Sequence, residues 1–251
     1  MSGYRELVDV YEWLMPEDKM NPAGSVAAFA AVVQSLPIGS RVLDCSCGTG
    51  QLAVGLAELG MAVDATDASP GMVLRTQQLA EQHRVPLTAH TVAWSELLSH
   101  FEPSTFDLVF CVGNSLVHAA GTSKRRSALQ AMARLLRPGG RLVLTSRTWE
   151  LVRARGSRRD IGDRVIRRGA VDGLVIYNWE IADQWEDEHG LEIAVVQIAS
   201  DGAVIASSER LSIWPFKHDD LVSELRSVGL DLHQSTFNTV DEGYMVVAIF
   251  G

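Results

Sequence analysis

Cysteine is scarce: Cys45, Cys47 and Cys111 are the only three in 251 residues, and no two of them form a CxxC pair. An odd, small number without paired spacing excludes a disulfide framework and a thiolate zinc site, so no metal is expected. A reducing cytoplasm is the expected compartment. Positive charge is also in short supply. Lys and Arg number 22 against 31 Asp and Glu, a formal net charge of −9. A partner held mainly through nucleic-acid phosphates is not expected. No uncharged apolar run reaches the roughly 18 residues of a membrane span. Met1 to Glu6 has neither the basic flank nor the apolar run of a signal peptide. Neither a nucleic acid nor a membrane is therefore an expected partner. Repeats and low-complexity stretches are absent. What remains is a chain 47% apolar and 21% charged, enough to bury the core of one large α/β domain, or of a domain with an insertion.

Strand-like and helix-like segments alternate through the first 150 residues. Asn21-Pro22 is a helix start with Asn as N-cap and Pro at the first helical position, and the helix is expected to run to Leu36. Arg41 to Asp44 reads as a short buried strand that opens into a glycine-rich loop. A helix follows from Gln51 to Leu59. A second strand ends at Asp67, and Ser69-Pro70 caps the next helix. Leu87 to Val92, Phe106 to Val112 and Arg141 to Ser146 are three further strands, with a helix at Ser127 to Leu136. The alternation predicts right-handed crossovers and a doubly wound, mostly parallel sheet. After Trp149 the pattern changes. Asp172-Gly173 and Asp201-Gly202 each lie between strand-like runs, and both read as hairpin turns. The expectation is an α/β fold: a mostly parallel, seven-stranded, Rossmann-like sheet with an antiparallel β insertion after the fifth strand. Residues 1–150 and 215–251 would form the sheet domain, and 151–214 a lid or wall. A helix from Asp219 to Val228 and two strands, Leu230 to Phe237 and Tyr244 to Phe250, close the chain.

The loop Asp44-Cys45-Ser46-Cys47-Gly48-Thr49-Gly50 carries the chemistry. A glycine-rich turn between a first strand and a helix presents backbone N–H groups and a helix N-terminus to a ligand. Gly48-Thr49-Gly50-Gln51-Leu52-Ala53 also fits the dinucleotide fingerprint. Asp44 separates the alternatives. A carboxylate at the mouth of the strand would repel a pyrophosphate, whereas the ammonium and sulfonium of S-adenosylmethionine are both positive. Asp67, at the end of the second strand, can accept hydrogen bonds from ribose hydroxyls of either cofactor. A capping role for both acids is the plainer alternative.

Asp44-x-x-x-Gly48-Thr49-Gly50, Asp67-Ala68-Ser69 with Met72, Phe106-Asp107-Leu108-Val109 and Arg137-Pro138-Gly139-Gly140 together resemble the class I S-adenosylmethionine-dependent methyltransferases. The resemblance covers about Arg41 to Arg147. Ala93-Trp94, Cys111-Val112-Gly113-Asn114-Ser115-Leu116-Val117-His118, Ser146-Arg147-Thr148-Trp149 and Glu209 to Pro215 are similar to its glycine N-methyltransferase branch. The resemblance implies S-adenosylmethionine as cofactor, S-adenosylhomocysteine as product, a small-molecule acceptor and assembly into homo-oligomers. Asp44, Ser46, Gly48, Gly50, Asp67, Ala68, Met72, Ala93, Trp94, Val112 and Ser115 would hold the cofactor. Tyr11, Asn114, Arg147, Trp179, Trp214 and Tyr244 would face the acceptor. Arg147 would clamp a carboxylate with its planar guanidinium, and Asn114, His118 and Arg147 are the catalytic candidates. His118 would serve as general base if the acceptor is a phenol or carbon acid.

The chain departs from that branch in having four tyrosines, Tyr4, Tyr11, Tyr177 and Tyr244, where the branch surrounds its substrate with several. Trp179, Ile213 and Trp214 stand where it has hydroxyls, which suits a larger or more apolar acceptor than glycine. Asn114 also reads as a turn residue, Arg147 as a solvated strand end, and Tyr11 as a helix-packing aromatic. The arginines Arg153 to Arg168 offer an anion site or, against the acids Glu180 to Glu192, a neutralised surface. A natural-product O- or C-methyltransferase, a nicotinamide oxidoreductase and a non-catalytic cofactor-binding protein are the alternatives.

Overall fold

The computed structural model describes residues 7–15, 17–162 and 165–251. Tyr4, and Arg164 of the basic stretch, lie outside them. A seven-stranded sheet forms the body. Its strands are β1 (Arg41–Asp44), β2 (Ala62–Asp67), β3 (Leu87–Thr91), β4 (Phe106–Cys111), β5 (Leu136–Arg147), β11 (Leu230–Ser235) and β12 (Gly243–Phe250), in the order β11-β12-β5-β4-β1-β2-β3. The pairs among β1 to β5 are parallel, and β12 alone runs against its neighbours β5 and β11. β4 is buried along its whole length, as a central parallel strand covered on both faces must be.

Helices α1 (Pro22–Ala27), α2 (Ala30–Val33), α3 (Gln51–Glu58), α4 (Pro70–His83), α5 (Leu97–His100), α6 (Gly121–Leu135), α7 (Trp149–Arg155) and α8 (His218–Ser227) complete the chain outside a second sheet. The caps follow from the sequence. The Asn21 side chain accepts from Gly24 N–H at 2.8 Å, and Ser69 accepts from Met72 N–H at 3.5 Å. The single helix expected to reach Leu36 is instead two short ones, broken at Ala28 and Phe29. There Phe29 packs edge-on against Phe110 of β4, 5.2 Å between ring centroids. α6 starts six residues earlier than expected, and its charged first turns are anchored by Arg125. This guanidinium makes a buried, bidentate pair with Glu224 of α8 at 2.6 and 2.7 Å.

The second sheet holds β6 (Arg158–Ile161), β7 (Ile166–Arg168), β8 (Val171–Glu180), β9 (His189–Ile198) and β10 (Val204–Ile213), all antiparallel, in the order β10-β9-β8-β6 with β7 also on β8. Asp201-Gly202 is a turn as expected: Gly202 has φ +85° and Ala203 N–H donates to Asp201 Oδ1. Asp172-Gly173 is not. Both residues lie inside β8, and the turn falls at Gly169-Ala170. Gly173 has another cause: a Cβ there would stand 2.2 Å from the Trp13 ring, so only glycine lets the indole seat on the strand. Trp13 belongs to a short 3-10 helix, Val8–Leu14, tied to α4 and to the second sheet. Asp9 accepts from Arg75 of α4 at 2.6 Å, and Glu12 O accepts from Arg168 at 2.8 Å. Among the described residues, no helix is long and apolar enough to cross a membrane.

Candidate active site

The parallel strands end on one edge of the sheet, and the loops after β1, β2, β3 and β4 meet there. In such folds ligands bind outside the carboxyl ends of the strands. Asp44 is buried at the tip of β1, its Oδ1 accepting from Ser46 N–H at 3.3 Å. Asp67 ends β2 and takes Gly48 N–H at 3.0 Å and Ser69 N–H at 2.8 Å. Burial raises both carboxyls. Asp44 is pushed up to about 7, mostly by desolvation and further by Asp67, with the Ser46 N–H pulling back. Asp67 is raised by burial against its three backbone donors. Two raised carboxyls, Asp44 buried and Asp67 half-buried, form a site whose electrostatics favour a cation.

The glycines have steric reasons. Gly50 has φ +89°, and a Cβ there would lie 2.9 Å from Thr76 Cα. Thr76 in turn donates its hydroxyl to Gly48 O at 2.9 Å. The β1 and β4 loops are stitched by Ser46, whose Oγ lies 3.2 Å from both Val112 N and Val112 O; Ser115 Oγ donates to the same Val112 O at 2.7 Å. Trp94 donates its indole N–H to Cys45 O at 2.7 Å, which fixes the ring beside the loop. Ala93 N–H donates to Glu96. Met72 is buried beneath α4, whereas Ala68 is exposed. All three cysteines are free and buried. Desolvation raises the Cys45 and Cys47 thiols well above the ordinary value.

Tyr11 reaches into the same ground. Its ring is 3.7 Å from where a Gly48 Cβ would stand, and its phenol is pushed up to about 12 by burial, then by Asp67, Tyr177 and Asp44. Asn114 adopts the left-handed conformation, φ 63°, and its Oδ1 accepts from Arg147 N–H at 3.0 Å. That bond ties the β4 loop to the end of β5 and leaves the Asn114 amide N–H groups as donors. The Arg147 guanidinium lies 5.6 Å over the Trp179 ring, and its charge lowers the nearby Tyr177 phenol against the effect of burial. No carboxylate of the described residues pairs with it. Burial lowers the His118 pKa, against the opposing pull of Ser212 O and Glu209, and Nδ1 lies 3.4 Å from Ser212 O.

Trp179 is held on every side. It donates to Asp160 at 2.9 Å, stacks with Tyr177, meets Trp149 edge-on, and has Arg158 5.2 Å from its centroid. Its exposure is 3%, so little of the ring remains for a ligand. Tyr11, Asp44, Gly48, Asp67 and Tyr177 thus form one group, joined through Tyr177 to Trp179, Arg147 and Asn114. The Trp214 backbone N–H donates to Val117 O, beside His118, at 2.8 Å, and Tyr244 pairs with Ser146, beside Arg147, while their rings pack on other residues. Trp214 lines a small cavity of about 30 Å³ with Arg125, Trp185 and Phe216. Tyr244 packs edge-on to His218 and Phe237 at 5.4 and 5.3 Å. Tyr177 and Asp160 were not singled out by sequence. The signal for Tyr177 was its spacing of two from Trp179, which puts both on one face of a strand.

Residues 42–140 match the methyltransferase domain family. A glycine/sarcosine N-methyltransferase from Aphanothece halophytica is 30% identical over 152 residues, 57% of this chain and 57% of that protein. A ubiquinone biosynthesis O-methyltransferase from Xanthomonas euvesicatoria is 36% identical over 110 residues, 43% of each. The chain thus spans about half the length of the curated relatives it matches. An amino pentose methyltransferase from Micromonospora echinaspora, solved with S-adenosylmethionine bound, shares the fold at a TM-score of 0.76 and 19% identity, over 96% of this chain and 97% of that one. The match identifies residues 42–140 as a methyltransferase domain, and the chain shares its fold with solved S-adenosylmethionine-dependent methyltransferases.

Proposed function

We propose that this chain transfers a methyl group from S-adenosylmethionine to the amine of a small acceptor bearing a carboxylate, such as an amino acid. The observation that carries the reading is the half-buried Arg147 guanidinium, without a carboxylate partner among the described residues, on the same wall as Tyr177 and Asn114. A cation held in place but left unneutralised suits an anionic ligand, and its fork can grip both carboxylate oxygens and fix where the amine points.

S-adenosylmethionine, when bound, supplies a methyl group already activated on a sulfonium. The protein's part is alignment of the two reactants. Asp44 and Asp67 would face the positive and hydroxyl-bearing parts of the cofactor, with Ser46, Gly48, Gly50, Ala68, Met72, Val112 and Ser115 shaping the loops around it. The donor set fits: both acids are raised by burial, so a cation beside them relieves an unfavourable charge. Asp67 retains lone pairs for hydroxyl donors after its backbone bonds. Ala93 and Trp94 would border the adenine, the indole held by Cys45 O. Tyr11 closes the space from the N-terminal side. The second sheet supplies the acceptor wall, the chain dividing into residues 1–150 with 215–251 and an insertion at 151–214.

A second reading, O-methyl transfer, is supported by His118. A histidine whose pKa is lowered by burial is a candidate to take a hydroxyl proton. Labelled S-adenosylmethionine offered to amino acids, amino sugars and phenols separates the two, with Arg147→Ala alongside. Methylation of an amino acid that falls at least a hundredfold in the variant supports the clamp. Methylation of phenols alone, unchanged in the variant, refutes it.

A further inference from the structure

Thr76 gains nothing for its own helix. It lies within α4, with Met72 and Ala80 one turn to either side on the buried stripe, and it is wholly inaccessible to solvent. Threonine is among the weaker helix formers, and a buried hydroxyl is costly unless it finds a partner. Inside a helix that partner is commonly the carbonyl four residues back. Here the hydroxyl reaches out of α4 instead. Oγ1 donates to Gly48 O at 2.9 Å, and the Cys47 thiol lies 3.4 Å from the same hydroxyl. Valine has the same shape and a similar helix propensity, so the needs of α4 do not explain the hydroxyl. The glycine-rich loop does.

Gly48 is held from two sides. Its carbonyl takes the Thr76 hydroxyl from α4, and its N–H donates to Asp67 Oδ2 at the end of β2, at 3.0 Å. At φ +54° and without a side chain, the residue has no packing of its own to fix how its peptide groups lie. The two hydrogen bonds fix them. Asp67 Oδ1 takes the Ser69 N–H at 2.8 Å, so one of the two N–H groups that set the plane of this carboxylate depends on Gly48. We infer that Thr76 is a positioning residue for S-adenosylmethionine: through Gly48 it holds the Asp67 carboxylate in the orientation that receives the cofactor's hydroxyls. The inference rests on the reading of Asp67 as the acid that faces those hydroxyls. Thr76 itself lies behind the loop and touches no ligand. It orders the acceptor before the cofactor arrives, and pre-organisation of this kind is read as affinity.

Titration calorimetry of the whole chain with S-adenosylmethionine tests this, on Thr76→Val, Thr76→Ser, Asp67→Ala and the Thr76→Val, Asp67→Ala double variant. Valine keeps the shape and drops the hydroxyl, and its Kd should rise about tenfold, the factor that one net hydrogen bond carries. Serine keeps the hydroxyl and should stay within about threefold of the wild type. Asp67→Ala should weaken binding by itself. Thr76→Val added to it should then change Kd by less than about twofold, because Thr76 acts through Asp67. A role in folding alone would weaken binding equally in both backgrounds. Circular dichroism checks that each variant folds, and Thr76→Ala takes the place of valine in the same cycle if valine does not. Thr76→Val binding like the wild type, serine binding as weakly as valine, or a tenfold loss that persists without Asp67 each overturns the inference. An Asp67→Ala chain that binds as tightly as the wild type overturns the reading of Asp67 itself, and the route from Thr76 falls with it.

Discussion

Replacing Asp44 by asparagine should make the chain more stable and less able to bind its cofactor. The carboxyl is raised from 3.8 to about 7, with desolvation as the first cause. A raised acid holds its proton in the folded state while the unfolded chain has already lost it, so stability falls as pH rises through that window. The window runs from about pH 4 to about pH 7. At 1.36 kcal/mol per pH unit the ionised Asp44 costs up to about 4 kcal/mol above neutrality. Asn keeps the shape and an oxygen for the Ser46 N–H but carries no charge. For a chain of this size that difference corresponds to roughly 10 °C in Tm. Scanning calorimetry without ligand at pH 5 and pH 8 measures it. The wild type should melt lower at pH 8 than at pH 5, and Asp44→Asn should remove most of that difference. Titration calorimetry should show proton release when S-adenosylmethionine binds the wild type below pH 7, because a cation favours the ionised form. Asp44→Asn melting below the wild type at pH 8 would refute the reasoning, since the Ser46 hydrogen bond would then outweigh desolvation.

Gly50→Ala forces a Cβ to 2.9 Å from the Thr76 backbone at a φ of +89°; a loss of about 2 kcal/mol or more is expected, read by urea denaturation. Gly173→Ala should unseat Trp13, visible as a red-shifted tryptophan emission and faster proteolysis of the N-terminal segment, with the 27.4 kDa chain trimmed by a few residues. Glu224→Gln leaves the Arg125 guanidinium buried without its counter-charge and should cost about 3–5 kcal/mol in chemical denaturation.

The glycine-rich loop after β1 was legible because most of its signals are local. Asp44, Gly48, Gly50 and Asp67 sit at fixed offsets from strand ends, and the two acids each accept from a backbone N–H two residues on, at Ser46 and Ser69. The alternation of strands and helices was legible for the same reason, through apolar periodicity. What failed was non-local. Asp201-Gly202 and Asp172-Gly173 are the same dipeptide in similar company. One makes a turn and the other does not, because an indole from residue 13 needs the space over residue 173. The support of Trp179 depends on the register that sets Asp160 opposite Tyr177 and Arg158 opposite Trp179, and no spacing within the sequence encodes that pairing. The break at Phe29 likewise reflects a partner ring on β4, not a local breaker.

The three buried thiols give the glycine-rich loop a clock. Cys45 and Cys47 flank Ser46 within the loop, Cys111 ends the neighbouring strand, and none is more than 7% exposed. A thiol so placed reacts with an alkylating reagent only when the surrounding structure opens, and the raised pKa of Cys45 and Cys47 slows their reaction further. The rate of labelling therefore counts openings of the loop, residue by residue, in the unmodified chain. Any ligand that settles between Asp44 and Asp67 must slow that count, whatever its chemical identity.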